Sequence, residues 1–385
     1  MFETSILILG GYGNTGRLLA DYLLQETEAR LVIAGRSIEK AWEMADHLNA
    51  KFEGQRVTGL SVDASDQAGL RAAFSQVDIV VVAASTSAFV RQVATAALDT
   101  RIDYLDVQYS THKMAVLQAM APQIEAAGCC FITDGGFHPG LPAALIRYVA
   151  PCFDRLESAR VGSVIKLDWS GLNLSQATMV EFISEFMDFQ MLAFRDGRWQ
   201  QTGLVSMMKP LTMDFGREFG RQYAVPMFLE EMRAIPELVP GLRETGFYVG
   251  GFNWFTDWIV SPLLMLGLKV APDRSLLPLA RLFRWSLNTF SRPPYGTMLK
   301  IEARGQEDGQ AKAIDLTLYH PDGYVFTAVP VVATLLQLLD GSARKPGLHL
   351  QAHIVEPRRL MRDLARLGIE ISGIKENTND NSTNN

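Results

Sequence analysis

The stretch that decides the fold is ILILGGYGNTG, residues 6–16, in which an apolar run leads directly into a glycine-rich turn. Gly11, Gly13 and Gly16 satisfy the pattern G-x-G-x-x-G. In dinucleotide-binding proteins the first glycine permits the tight turn, the second lets a pyrophosphate approach the backbone, and the third lets the helix pack on the strand. A turn without a ligand would also use glycines. The buried type of strand before the turn and the helical spacing after it favour a dinucleotide site, with the pyrophosphate at the N-terminus of a helix that starts near Asn14.

The position twenty residues after Gly16 indicates which dinucleotide is bound. Arg36 stands there, directly after a second apolar run at residues 31–34. An acidic residue at the end of the second strand binds the ribose 2′-hydroxyl of NAD, whereas an arginine can pair with the 2′-phosphate of NADP. The sequence therefore predicts NADP(H) rather than NAD(H).

Composition sets the class of protein and excludes several functions. The chain has 385 residues, 48% of them hydrophobic, which predicts a globular protein of two domains. A net charge of −6 gives no reason to expect nucleic acid as a partner. The three cysteines, Cys129, Cys130 and Cys152, have neither metal-site nor disulfide spacing, and no metal is expected. Since the first strand begins at once, no signal peptide is expected and the predicted location is cytoplasmic.

The first third of the chain alternates strands with helices, which predicts an α/β fold with a doubly wound parallel sheet. The predicted strands are 6–9, 31–34, 57–62, 79–83, 104–107 and 130–133, and the helices are 14–25, 38–48, 67–74, 87–98 and 111–126. Later segments are predicted as a linking helix (141–150), strands (159–167, 298–303 and 313–319) and helices (178–194, 331–339 and 357–367). The ligand should bind where the strands end, since their carboxyl ends meet at one edge of the sheet.

Two predicted cofactor contacts follow the third and fourth strands. Asp63 could accept a hydrogen bond from the adenine amino group, or the polar residues there could only cap the next helix. Ser85 and Thr86 lie among small residues that would let the backbone pass close to the nicotinamide ribose. The alternative for this turn is that Ser87 caps a helix.

Candidate catalytic residues follow the fifth and sixth strands. Tyr104, Asp106, His112 and Lys113 offer groups that can exchange a proton beside a hydride-transfer site. Asp106 could instead cap a helix, and Lys113 could lie on a solvated face. His138 lies in the motif GFHPG, at the predicted junction of the two domains, and substrates commonly bind in the cleft at such a junction. The alternative is that His138 is an exposed residue of a turn that only connects the domains.

An aromatic, arginine-containing segment at residues 247–290 has two interpretations. Its apolar core, 258–268, is too short to span a bilayer, which needs about 20 residues. The segment could form a buried helix or the interface of a homodimer, which we expect the protein to be. The sharper alternative is that it lies in the plane of a membrane surface, with aromatic side chains at the headgroups and arginines outside.

The chain resembles the saccharopine dehydrogenase-like NAD(P)-binding oxidoreductases. The resemblance rests on GGYGNTG (10–16), AGR (34–36), DYLD (103–106), GFHPGLP (136–142) and DGYVFTA (322–328). It implies a Rossmann domain interrupted by a larger α+β domain, with C-terminal helices that return to the first domain. The implied domains are 1–138 with 331–372, then 139–330. The composition of the end of the chain, rich in Asn, Asp, Ser and Thr, predicts a disordered tail at 373–385. Cofactor contacts carried over by the resemblance are Gly11, Gly13, Asn14, Thr15, Gly16, Arg36, Asp63, Ser85 and Thr86.

The resulting hypothesis is an oxidoreductase that transfers hydride between NADP(H) and a small or lipid-like substrate at the cleft between its domains. Asp106, His138 and Tyr104 are its candidate catalytic residues. The alternative is an NADP(H)-binding protein without turnover that associates with a membrane through residues 247–290.

Overall fold

The computed structural model describes residues 4–169, 171, 179, 183, 190–202 and 211–373. The chain forms two compact units, one of residues 1–144 with 324–367 and the other of residues 145–323 with those from 368 onward. The strands are β1 (Ser5–Leu9), β2 (Arg30–Gly35), β3 (Val57–Ser61), β4 (Ile79–Val82), β5 (Asp103–Asp106), β6 (Cys130–Thr133), β7 (Arg155–Lys166), β8 (Leu192–Arg195), β9 (Arg198–Gln201), β10 (Leu211–Asp214), β11 (Arg221–Pro226), β12 (Glu244–Gly250), β13 (Gly296–Glu307), β14 (Gln310–His320), β15 (Gly347–Leu350) and β16 (Glu370–Ser372). The helices are α1 (Asn14–Glu26), α2 (Ile38–Lys51), α3 (Gln67–Phe74), α4 (Val90–Thr100), α5 (Thr111–Ala126), α6 (Pro142–Val149), α7 (Gly216–Phe219), α8 (Ile235–Leu238), α9 (Ser261–Val270), α10 (Pro272–Phe290), α11 (Gly323–Leu339), α12 (Gln351–Ile354) and α13 (Pro357–Arg366).

The first unit is built on a parallel sheet with the strand order β15-β6-β5-β4-β1-β2-β3. Its centre is β1, which pairs in parallel with β2 on one side and with β4 on the other. Ile6, Leu7 and Ile8 are fully buried because helices cover both faces of a doubly wound sheet. The predicted doubly wound parallel sheet is confirmed. The order of the strands reverses between β1 and β4, and a ligand site is expected at that point of the carboxyl edge.

The second unit contains a mixed sheet with the order β10-β11-β12-β7-β13-β14-β16, and β8 and β9 extend it beside β12. The strands predicted at 159–167, 298–303 and 313–319 are found as β7, β13 and β14. The prediction of a helix through residue 194 is wrong at its end, because residues 192–195 form β8. Asp196 and Gly197 both have positive φ and make the tight turn from β8 to β9. Most of the remaining predicted helix, 178–189, lies outside the described residues.

The C-terminal part of the chain departs from the predicted bounds. Helix α11 begins at Gly323, earlier than the predicted residue 331. Strand β15, which the sequence analysis missed, joins the first sheet beside β6. The sequence analysis placed residues 368–372 in the first domain. Residues 370–372 instead pair with β14, so residues 368–372 belong to the second unit. Apart from Gly373, the predicted tail lies outside the described residues.

The aromatic segment forms strand β12 followed by the helices α9 and α10, which pack on each other in the second unit. Leu264 and Leu268 of α9 and Phe283 and Leu287 of α10 are buried in one apolar cluster. No helix among the described residues is long and apolar enough to cross a membrane.

Candidate dinucleotide site and buried ionic cluster

The glycine turn between β1 and α1 is packed as a dinucleotide site requires. Gly10 has a φ of +85°, which glycine adopts without strain, and its N–H donates to the carbonyl of Ala34 at 2.7 Å. A Cβ on Gly16 would overlap the carbonyl oxygen of Gly10, and a Cβ on Gly13 would lie 3.1 Å from the same oxygen. Gly16 therefore allows α1 to pack against the turn.

The N-terminus of α1 offers hydrogen-bond donors to an anion. Gly13 is the N-cap residue, and among the described residues no side chain caps this helix end. Asn14 is exposed and Thr15 is half-buried in the first turn. Because the first N–H groups of a helix have no partner within the helix, this end can bind a pyrophosphate.

Tyr12 holds the loop that carries Arg36, a contact that the sequence analysis missed. The ring of Tyr12 lies over Gly35, where an added Cβ would be 2.6 Å from it. The N–H of Ser37 donates to the phenol oxygen of Tyr12 at 3.2 Å. From β3, the hydroxyl of Ser61 donates to the carbonyl of Arg36 at 3.3 Å. Backbone contacts thus fix the loop and leave the Arg36 side chain exposed.

Asp63 lies close enough to Arg36 for their charges to interact. The N–H and hydroxyl of Ser65 donate to its Oδ1 at 2.8 and 2.7 Å. These two hydrogen bonds lower the pKa of Asp63, and the positive charge of Arg36 lowers it further. The N-cap of α3 is Asp66, whose Oδ1 accepts from the N–H of Ala68 at 3.0 Å. Asp63 is thus an exposed carboxylate beside Arg36, and its contact with adenine stays a prediction.

The turn after β4 is tied to the ends of β1 and β5. A Cβ on Gly10 would lie 2.8 Å from the Cβ of Ala84, so the two turns are in close contact. The Gln108 amide donates to the carbonyl of Ala84 and, at 3.0 Å, to the hydroxyl of Thr86. Ser85 remains exposed. Helix α4 begins only at Val90, after a short 3₁₀ turn that no side chain of the described residues caps.

A buried ionic cluster joins the carboxyl ends of β5 and β6. The ammonium of Lys113 lies 2.7 Å from Oδ1 of Asp106 and 2.8 Å from Oδ1 of Asp134, and it also donates to the carbonyl of Gln108. Thr133 donates to Oδ2 of Asp106 at 2.7 Å. Lys113 and Asp106 are fully buried, so Lys113 does not lie on a solvated face.

The electrostatics of this cluster favour a charged lysine. Burial by itself lowers the pKa of Lys113, but the charges of Asp106 and Asp134 outweigh it and the pKa is raised. Burial, followed by the charge of Asp106, raises the pKa of Tyr104 well above its ordinary value. Tyr104 is therefore a neutral phenol, stacked on Phe131 with ring centroids 5.0 Å apart.

His138 belongs to a loop that Gln351 holds in place. The Gln351 amide donates to the carbonyl of Gly136 at 2.9 Å and accepts from the Gly136 N–H at 3.2 Å. His138 is partly buried, with its ring 4.0 Å from that of Phe137, and burial lowers the pKa of His138 to about 3. The imidazole is therefore neutral near pH 7.

The predicted site residues thus fall into three groups on the first unit. The glycine turn, Arg36 and Asp63 lie at the ends of β1, β2 and β3, and Ser85 and Thr86 follow β4. Tyr104 and Asp106 lie inside the protein, and their catalytic roles, like that of His138, stay predictions. Sequence reasoning assigned no role to Tyr12, Gln108, Asp134 or Gln351. Gln108 and Asp134 could have been found, because polar residues that follow β5 and β6 lie at the edge where a ligand is expected.

Comparison with known proteins shows what residues 6–131 and the fold are similar to. Residues 6–131 match the family model of the saccharopine dehydrogenase NADP binding domain. The apo saccharopine dehydrogenase (L-Glu forming) of Saccharomyces cerevisiae has a similar fold, with a TM-score of 0.66 and 14% identity over 96% of this chain and 100% of that one. A mutant meso-DAP dehydrogenase of Clostridium tetani with DAP is less similar, with a TM-score of 0.46 and 12% identity over 94% of this chain and 99% of its own. No curated protein sequence matches the chain.

The family-model match and the yeast structure confirm the resemblance to saccharopine dehydrogenase-like proteins and the two-domain dehydrogenase fold. The match over residues 6–131 supports an oxidoreductase that uses a nicotinamide cofactor.

Proposed function

We propose that the chain, which matches the family model of the saccharopine dehydrogenase NADP binding domain over residues 6–131, is an NADP(H)-dependent oxidoreductase. It transfers hydride between the nicotinamide ring and a small or lipid-like substrate. When bound, the cofactor supplies or accepts the hydride, and the protein binds the cofactor, orients it and handles the accompanying proton. The pyrophosphate binds at Gly11, Gly13 and the first turn of α1.

One observation carries the choice of NADP(H). Arg36 extends from the loop after β2 as an exposed cation, and within the described part of the chain no carboxylate lies at ion-pair distance from it. Its backbone is held in place, so binding a phosphate costs little ordering of the loop. A guanidinium forms two parallel hydrogen bonds with a phosphate. An arginine at the end of the second strand is placed to bind the 2′-phosphate of NADP(H).

The hydrogen bonds of the neighbouring Asp63 also support binding of NADP(H). Asp63 is already satisfied by Ser65, so it does not need Arg36 as a partner. Its carboxylate can then face the adenine amino group while Arg36 binds the phosphate. The two side chains would contact opposite parts of the adenosine moiety.

The proton-handling roles are assigned by burial and charge. Of the three candidate catalytic residues only His138 is partly exposed, so we assign it to proton exchange with a substrate. Asp106 and Tyr104 are buried, and we assign them to positioning. Through Lys113 and Asp134, Asp106 fixes the start of the loop on which His138 lies.

The alternative is a protein that binds NADP(H) without turnover. It is favoured by the complete burial of two of the three candidate catalytic residues, Asp106 and Tyr104. NADPH oxidation during a screen of aldehydes, imines and enoyl compounds would exclude it. Loss of that turnover in His138→Ala, with NADPH binding retained, would support the role of His138 in proton exchange.

The cofactor assignment is tested by Arg36→Ala. A charge-assisted hydrogen bond to phosphate contributes about 1.5–3 kcal/mol, so the Kd for NADPH should rise roughly ten- to hundredfold. The Kd for NADH should stay the same, because NADH has no 2′-phosphate. Arg362→Ala, at an exposed position of α13, is the matched control and should change neither value. Equal losses for NADPH and NADH, or no loss for NADPH, would show that Arg36 does not bind the 2′-phosphate.

A further inference from the structure

The helices α9 and α10 of the second unit are apolar on more than the face they bury. Val260, Leu264 and Leu268 are buried and pack against Phe283 and Leu287 of α10. This inner face joins the two helices. The opposite face of α9 lies outside this cluster. On a helix that faces water, such a face is ordinarily polar.

The opposite face of α9 is apolar as well. It carries Leu263, Leu266 and Val270, whose spacings of three and four residues place them on one side of the helix, and Ile259 is exposed in the π-helical turn (Thr256–Val260) directly before it. In chain order from Ile259 to Val270, the exposed fractions of these four residues are 44%, 48%, 60% and 74%. A continuous stripe of this kind marks a surface that binds something apolar.

Three exposed tryptophans belong to the same segment as this stripe. Trp254, Trp258 and Trp285 are each at least half exposed, and they are three of the six tryptophans of the chain. Phe255 lies between two of them, with its ring centroid 5.5 Å from that of Trp254 and 5.8 Å from that of Trp285. Tryptophan is the residue most typical of the boundary between lipid headgroups and acyl chains.

Basic side chains complete the surface. Lys269, Arg274, Arg281 and Arg284 are exposed, and none of them forms an ion pair with a carboxylate of the described chain. Residues 252–292 hold five basic and two acidic side chains, in a protein whose net charge is −6. One of the acids, Asp257, turns inward: it accepts from the N–H of Phe252 at 2.9 Å, and burial raises the pKa of Asp257 to about 6. The segment therefore presents a positive charge beside its apolar stripe.

We propose that α9 and α10 dock on the surface of an anionic lipid bilayer. Helix α9 lies in the plane of the interface with its exposed stripe among the acyl chains. The tryptophans lie at the headgroups, and Lys269 and the arginines of α10 contact lipid phosphates. This arrangement is that of a helix lying on a membrane, and it requires no spanning segment.

The charges favour a lipid surface over a second copy of the chain. In a two-fold symmetric contact the same patch faces itself, so its basic side chains would meet those of the partner. Like charges brought together in this way oppose association. An anionic bilayer satisfies both the stripe and the charges.

Co-sedimentation of the full chain with vesicles tests the proposal. We expect binding to vesicles of phosphatidylcholine with added phosphatidylglycerol, and much weaker binding to phosphatidylcholine alone. Leu263→Ser/Leu266→Ser should abolish binding. Arg281→Gln/Arg284→Gln should weaken binding to the anionic vesicles about thirtyfold, since each arginine near such a surface contributes about fivefold.

Arg358→Gln/Arg362→Gln is the matched control, because it removes the same charge from two exposed positions of α13. It should leave vesicle binding unchanged. Tryptophan fluorescence should be quenched by lipids that carry bromine in the acyl chains, and this quenching should vanish in Leu263→Ser/Leu266→Ser. NADPH binding, measured on the same samples, should be the same in all variants, which separates this proposal from the proposed function.

Three results would overturn the proposal. The first is no sedimentation of the wild-type chain with either vesicle. The second is equal weakening by the two arginine pairs. The third is a lipid-free dimer, seen by sedimentation velocity, that Leu263→Ser/Leu266→Ser dissociates, because the surface would then be an interface between two copies.

Discussion

Replacing Lys113 by methionine would leave two carboxylates buried without a counter-ion. The ammonium of Lys113 lies within 2.8 Å of oxygens of both Asp106 and Asp134, and all three residues are buried. Removing one partner of a buried ion pair costs about 3–5 kcal/mol, because the remaining charge has lost both water and partner. The free energy of unfolding of the first unit should fall by this amount.

Thermal unfolding followed by circular dichroism measures the effect. For a unit of 150–250 residues, a loss of 3–5 kcal/mol lowers Tm by about 6–20 °C. Lys40→Met is the matched control, because Lys40 is also the third residue of its helix but is exposed, and its Tm should change little. The triple variant Lys113→Met/Asp106→Asn/Asp134→Asn removes the unpaired charges and should recover part of the loss.

The same cluster predicts how stability depends on pH. Because the folded-state pKa of Lys113 is raised above its ordinary value of 10.5, its charged form stabilises the fold throughout the pH range below that value. This contribution should disappear as the pH rises through the folded-state pKa, and Lys113→Met should lack this alkaline transition. If Lys113→Met is as stable as Lys40→Met, or if the triple variant is less stable than Lys113→Met, the ionic cluster does not stabilise the first unit.

Two further variants test the dinucleotide turn and the loop that carries Arg36. Gly16→Ala should lower the stability of the first unit by about 1–3 kcal/mol, because its Cβ would overlap the carbonyl oxygen of Gly10. Gly13→Ala should lower stability less, while still weakening NADPH binding. Equal Tm values for the two variants would contradict this expectation. Tyr12→Phe removes the acceptor for the N–H of Ser37 and should cost about 0.5–1.5 kcal/mol, with NADPH affinity reduced and NADH affinity reduced less. An unchanged Tm and unchanged NADPH affinity would show that the phenol does not hold the loop.

The first unit was largely predictable because its signals are local. The glycine turn, the apolar runs and the position of Arg36 each lie within about 30 residues, the length of one βαβ unit. The ends of such units meet at one edge of the sheet, so the location of the cofactor site followed from the alternation of strands and helices.

The parts that were missed depend on partners far away in the sequence. Strand β15 has only four residues, Gly347–Leu350, and it is a strand because β6 pairs with it. Lys113 is buried because Asp134, twenty-one residues later, comes to lie beside it once β5 and β6 are neighbours. The helical spacing before residue 192 predicted that the helix continues to residue 194. Leu192–Arg195 is a strand instead, because the Asp196-Gly197 turn that follows lets it pair with β9 in a hairpin.

The pairing of β15 with β6 has a consequence for the synthesis of the protein. Residues 324–367 complete the first unit, yet the ribosome makes them after all but the last strand of the second unit's sheet. Until residue 350 leaves the ribosome, β6 is an open sheet edge, and Gln351 is not present to hold the loop at Gly136. Open edges of this kind pair with other chains during folding. The nascent N-terminal half should therefore depend on chaperones, and a fragment ending near residue 144 should aggregate where the full chain folds.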